Sequence, residues 1–170
     1  MNDDEQVEVF AEDGSVLGVA SRRRMRADNL LHRATGVILR DTAGRVYVHR
    51  RTDSKDVFPG RYDCCAGGVV GVGEDVLAAA ERELAEELGV RGVSLRPLLV
   101  GRYEDAHTRY LAHVYEATWD GPITWQADEV VWGDWCTLSE LRALLADPAR
   151  PFVPDTRALL ADWFIEVGAS

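Results

Sequence analysis

Residues 75–89 read Asp-Val-Leu-Ala-Ala-Ala-Glu-Arg-Glu-Leu-Ala-Glu-Glu-Leu-Gly, and this stretch constrains the chain more than any other. Its signals predict a helix from about Glu74 or Asp75 to Leu88. An acid stands near the positive end of the dipole, and Gly89 falls just past the last turn as a C-cap. At 100° per residue Leu77, Ala80, Leu84 and Leu88 fall within about 80° of one another, so the helix must lie on an apolar layer. Beside that stripe, Glu83, Glu86 and Glu87 project within about 100° of each other. Like charges at i, i+4 cost a helix roughly 0.2–0.5 kcal/mol per pair, so they do not strengthen it. A hard divalent cation would reverse that cost, since Mg²⁺ or Mn²⁺ is held by a few carboxylates, carbonyls and waters. The plainer alternative is a solvated acidic face on which Arg82 pairs with Glu86 at i+4.

The rest of the chain supplies the layer. Val7–Phe10 and Val16–Val19 flank an Asp13-Gly14 turn and read as a hairpin. Ala34–Leu39 and Val46–Val48, joined through Asp41–Gly44, read as a second. Residues 52–62 form a loop, and Ala66–Gly73 is too glycine-rich for a stable central strand. Strands are expected around Leu95–Tyr103, Tyr110–Thr118 and Glu129–Trp135, then a helix over Ser139–Ala146. A last helix, capped by Asp155 or Thr156, carries Leu159, Leu160, Trp163, Phe164 and Val167. This order predicts an α/β (α+β) sandwich, a mixed sheet covered by helices on both faces.

One domain over residues 1–170 fits the length, at about 150 residues per domain. No apolar run approaches the ~18 residues that cross a bilayer, and the N-terminus is acidic where a signal peptide is basic, so a cytoplasmic protein is expected. Three cysteines give no disulfide framework; the neighbours Cys64 and Cys65 are expected to be small core residues in a reducing compartment. A formal net charge of −10 repels nucleic-acid phosphates and anionic lipid. Basic residues gather only at Arg22–Arg26, expected as a solvated helix face, and at His49-Arg50-Arg51, which suits a small anionic ligand.

From Gly68 the sequence runs five residues to Glu74, then seven to Arg82-Glu83-Leu84-Ala85-Glu86-Glu87-Leu88-Gly89-Val90. This resembles the Nudix box over residues 68–90, with all nine specified positions filled; chance would supply such a match about once in 10⁹ windows. The resemblance implies the Nudix fold, an α/β/α sandwich preceded here by the hairpin and Arg-rich segment of residues 1–30. It also implies hydrolysis of a diphosphate linkage in a nucleoside diphosphate derivative or other organic diphosphate, with Mg²⁺ or Mn²⁺. Carried over by position, Glu83 and Glu87 match the principal metal carboxylates, Glu86 a ligand or the base, and the Gly67 carbonyl a further metal contact. Arg82 matches the residue that orients a box glutamate, and Glu74 the one that ties loop to helix. Glu129 matches an additional carboxylate in many relatives, against a plain edge glutamate. Substrate contacts are expected from Arg50, Arg51 and Gly68, with His32 and Glu104 as further candidates. The expected partner is a small-molecule diphosphate, with no nucleic acid and no membrane; a homodimer is the one assembly allowed for.

The wider frame, from Leu31-His32-Arg33-Ala34 through Arg50–Lys55 to Phe58–Asp63, resembles the isopentenyl-diphosphate-isomerase branch of the family. Yet the isomerase's Cys-Gly-His-Pro segment reads Ala66-Gly67-Gly68-Val69 here, without cysteine or histidine. A non-catalytic nucleotide sensor is the other rival, and the intact carboxylate set argues against it. The proline and tyrosine that mark ADP-ribose and dinucleoside-polyphosphate cleavers beyond the box are missing. His107 and His113 read as ordinary strand histidines, and Trp119, Trp125, Trp132, Trp135 and Trp163 as core or interface.

Overall fold

The computed structural model describes residues 5–166; Val167 and the first four residues of the acidic N-terminus, both used above, lie outside them. Strand β1 (Gln6–Phe10) pairs antiparallel with β2 (Val16–Ser21) as the expected hairpin, and α1 (Arg22–Ala27) follows. The main sheet contains β3 (His32–Arg40), β4 (Val46–Arg51), β5 (Tyr62–Asp63), β6 (Cys65–Val69), β7 (Arg96–Glu104), β8 (Arg109–Thr118) and β9 (Val130–Cys136). Strand β3 takes β8 in parallel on one side and β6 antiparallel on the other. Strand β4 is flanked by β9 and β5.

The expected second hairpin is therefore not a ladder: β3 and β4 share only the register pair Arg40↔Val46 and then diverge, each finding other partners. The glycine-rich segment is also a strand after all, because β6 runs so close to β3 that a Cβ on Gly67 would overlap the Thr35 carbonyl and lie 2.7 Å from the Gly36 Cα. Glycine is what permits that approach.

Alternation sorts the sheet's two faces. Val37, Leu39, Tyr47, Tyr115 and Ala117 face helix α2 (Val76–Leu88), against Ala80, Leu84 and Leu88. Ile38, Val46, Val48, Ala112 and Val114 face the other side, against α3 (Leu138–Ala146), α4 (Pro154–Leu159) and α5 (Ala161–Glu166). That is the expected sandwich. The last helix is broken at Leu160 and starts behind Val153, with Pro154 in its first turn, rather than from an Asp155 or Thr156 cap. Asp155 and Thr156 are occupied elsewhere, in contacts with Tyr110 and Asp63. Cys64 is buried in the core, as expected.

The Arg22–Arg26 cluster is only partly solvated. Arg23 and Arg24 are exposed, but Met25 is buried with Val7 and Val69, and Arg26 reaches Asp56 at 3.1 Å. Arg22 pairs with Glu5 at 3.2 Å and approaches Asp56 at 4.0 Å. Asp56 belongs to the loop between β4 and β5, so α1 holds that loop.

Candidate active site

Helix α2 positions the carboxylates. Asp75 caps it, accepting from the Leu77 and Ala78 amides at 3.0 and 3.1 Å, and Gly89 closes it at φ 70° with its N–H on the Ala85 carbonyl. The buried face begins at Ala79 and Ala80; Leu77, in the first turn, stays exposed. Glu87 is buried in the stripe instead, only 2% exposed, because both its oxygens find donors. Oε2 accepts from the Gly67 N–H at 3.2 Å and Oε1 from the Lys55 ammonium at 3.3 Å.

Arg82 organises the opposite flank. It grips Glu74 with two bonds, at 2.8 and 3.1 Å, and donates to Glu83 at 2.7 Å, to Glu86 at 3.3 Å and to the Val69 carbonyl at 3.3 Å. Glu74 also accepts the Gly71 N–H at 2.9 Å, which fastens the loop before α2 to the helix. These contacts hold Glu74 below the usual carboxylate range and raise the Arg82 guanidinium further, in both cases chiefly through their mutual bond. The plain Arg82–Glu86 surface pair is thus one of five bonds that the guanidinium makes to four partners.

Glu83 is different. Burial first, and the Glu87 charge second, push its carboxyl up to about 7. Its carboxylate lies against Gly68, where a Cβ would stand 2.5 Å from Oε1. Glu129 arrives from the turn just before β9, one residue ahead of the strand that was expected to contain it. It forms an ion pair with Lys55.

Glu83, Glu86, Glu87, Gly67, Gly68, Arg82 and Glu129 therefore line one cleft of about 440 Å³. The other candidates stand elsewhere. Arg50 ties the β4–β5 loop through Asp53 at 2.8 Å and the Gly60 carbonyl at 3.1 Å. His32 and Arg51 line a second, smaller cavity. Glu104 lines neither and pairs with Arg102 at 2.8 Å on the surface. Sequence reasoning assigned nothing to Lys55, whose side chain is 8% exposed; a single lysine in a polar loop carries no periodic or spacing signal. Burial lowers its pKa.

A cleft that sets Glu5, Glu83, Glu86, Glu87 and Glu129 against Arg22, Lys55 and Arg82 has oxygen ligands in excess and suits a hard cation. Among known proteins, the NUDIX domain family model matches residues 30–156. The chain belongs to the Nudix family. An uncharacterized Nudix hydrolase of Rhodococcus erythropolis is 43% identical over 170 residues, spanning 94% of this chain and 92% of that one. The uncharacterized Nudix hydrolase YfcD of Salmonella typhi is 39% identical over 159 residues, covering 94% and 84%. The crystal structure of DR0079 from Deinococcus radiodurans superposes with a TM-score of 0.77 at 27% identity, over 93% of this chain and 98% of its own. This is a Nudix-type hydrolase with the Nudix sandwich fold, and Nudix hydrolases generally use divalent metal ions. No helix of the described residues is long and apolar enough to cross a membrane.

Proposed function

We propose that this chain hydrolyses the diphosphate linkage of a small organic diphosphate, with Mg²⁺ or Mn²⁺ held by Glu83, Glu87 and the Gly67 carbonyl, and by Glu86 or Glu129. The carrying observation is the convergence of four box and turn carboxylates on one cleft beside a glycine pair. When bound, the cation supplies charge neutralisation of the diphosphate and eases proton loss from water. The protein does the rest. Arg82 fixes Glu83 and Glu86 in one orientation, so little reorganisation remains at the moment of reaction. Glu86, about half exposed and, among the described residues, held by Arg82 alone, serves as the base that accepts a proton from the attacking water. Lys55 sets a positive charge at the cleft wall, where an anionic substrate enters.

The isomerase-like frame contributes scaffold rather than chemistry in this reading, since Ala66, buried in β6, cannot exchange a proton. The test is phosphate or monophosphate release from a panel of organic diphosphates with excess Mg²⁺ or Mn²⁺, against EDTA. Metal-dependent release supports the proposal. Diphosphates that bind without being cleaved would point to a nucleotide sensor and overturn it, as would full turnover in EDTA.

A further inference from the structure

Gly67 and Gly68 also form part of the wall of a second cavity, of about 110 Å³, that the hydrolytic reading leaves unused. Its apolar walls include Phe58, Val114 and Leu160. Its polar lining sets two carboxylates and an imidazole beside two guanidiniums. Asp63 is 6% exposed, and its Oδ1 accepts from the Cys65 N–H at 3.0 Å and the Thr156 hydroxyl at 2.8 Å. Asp155 accepts the Tyr110 hydroxyl and the Thr156 N–H, both at 2.8 Å.

Neither carboxylate has a cation within ion-pair distance among the described residues. Of the two guanidiniums that line the cavity, Arg26 donates to Asp56 and Thr108, while Arg51 donates to the Val57 carbonyl at 3.1 Å and keeps its buried Nε without a partner among the described residues. His32, 1% exposed, adds a third acceptor. Its Nδ1 lies 3.0 Å from the Leu30 carbonyl, which can only accept, so Nδ1 carries the proton and Nε2 presents a lone pair with no partner among the described residues. Burial holds the ring neutral by lowering its pKa to about 4.

The donors that already reach the two acids are amides and hydroxyls, so two buried acids and an imidazole lone pair in one small space still favour a charged donor over a neutral one. We propose that this cavity receives the end of the substrate remote from the scissile diphosphate, and that it selects an ammonium-bearing end over its hydroxyl counterpart. The proposal rests on the diphosphatase reading for its substrate. A cavity of about 150 Å³ takes a benzene ring, so this smaller one has room for a short aminoalkyl chain. Sites built to hydrogen-bond a substrate group discriminate strongly against the analogue that lacks it, because their own polar groups are then left unpaired.

Two matched pairs of probes vary the length of the arm that carries the nitrogen: 2-aminoethyl against 2-hydroxyethyl diphosphate, and 3-aminopropyl against 3-hydroxypropyl diphosphate. In the wild-type protein kcat/KM should favour the nitrogen member of at least one pair by about 10- to 100-fold, the range of a hydrogen bond to a charged group. Asp63→Asn, which turns an acceptor into a donor, and Asp155→Asn should each bring that ratio towards one. The same pairs as monophosphates, followed by melting temperature in EDTA, report binding without turnover and should keep the same order. Equal kcat/KM and equal melting shifts in both pairs would overturn the cavity assignment while leaving the hydrolase reading intact. Absence of phosphate release from every diphosphate would overturn the hydrolase reading, with the melting shifts still deciding the cavity.

Discussion

Gly67 and Gly68, where the chain enters the box, should fail in different ways when replaced one at a time by alanine. At Gly67 the new methyl meets backbone: it overlaps the Thr35 carbonyl and comes within 2.7 Å of the Gly36 Cα, against a normal carbon–carbon contact of ~3.5–4.0 Å. The β3–β6 ladder must open to admit it, which should cost at least the ~1–3 kcal/mol of an overpacked core. At Gly68 the methyl meets only the far end of the Glu83 side chain, 2.5 Å from Oε1 and 2.6 Å from Cδ. That carboxylate can swing aside by about 1 Å, so stability should stay within ~1 kcal/mol of wild type. A 1 Å misplacement of a positioned group costs about 10²-fold in rate, and turnover by Gly68→Ala should fall by that order. Urea denaturation and metal-dependent diphosphate turnover, measured on both variants, separate the effects. A Gly67→Ala protein as stable as wild type, or a Gly68→Ala protein with wild-type turnover, would refute the reasoning.

Glu86→Gln and Glu87→Gln should each lower turnover by about 10²–10⁴, and added Mg²⁺ should raise the melting temperature of wild type more than that of Glu87→Gln, since a ligand stabilises the state that binds it. Asp63, pushed up to about 7 by burial and by Asp155, should make stability depend on pH: a raised folded pKa gives stability that is present below the unfolded value near 3.8 and is lost as pH rises through 7. Relative to Asp63→Asn, wild type should thus lose roughly 3 kcal/mol between pH 5 and pH 8 by urea titration, and a constant difference would count against the assignment. Thr137→Ala, which removes the hydroxyl that accepts the Glu140 N–H at 3.2 Å and breaks a capping box, should cost about 1 kcal/mol with turnover unchanged.

What the sequence revealed follows the range of the interactions involved. The α2 helix was legible to within a residue or two because its acidic start and its terminal glycine are local, though the expected stripe counted Leu77, which is exposed, and the box spacing carried Glu83, Glu86, Glu87 and Arg82 with it. Strand partners beyond the β1–β2 hairpin were not legible. Nothing local says that β3 abandons β4 for β6 and β8, or that Gly67 is there to let two backbones touch. Glu87 reads as a solvated charge until Gly67 and Lys55 arrive from distant segments to satisfy it. The cavity behind the glycines escaped for the same reason, since Asp63 and Asp155 are 92 residues apart and meet only through Thr156.

The grip of Arg22 and Arg26 on Asp56 reaches beyond α1 itself. Asp56 is the neighbour of Lys55, so the one ammonium that touches Glu87 and Glu129 is moored by residues lying before the matched family region, which begins at residue 30. The border drawn by sequence similarity and the border of the working machine do not coincide. A chain shortened to start at residue 30 would keep every carboxylate of the box and lose the anchor of the loop that faces them. Divergence in the first thirty residues can then retune the cleft with no change inside it.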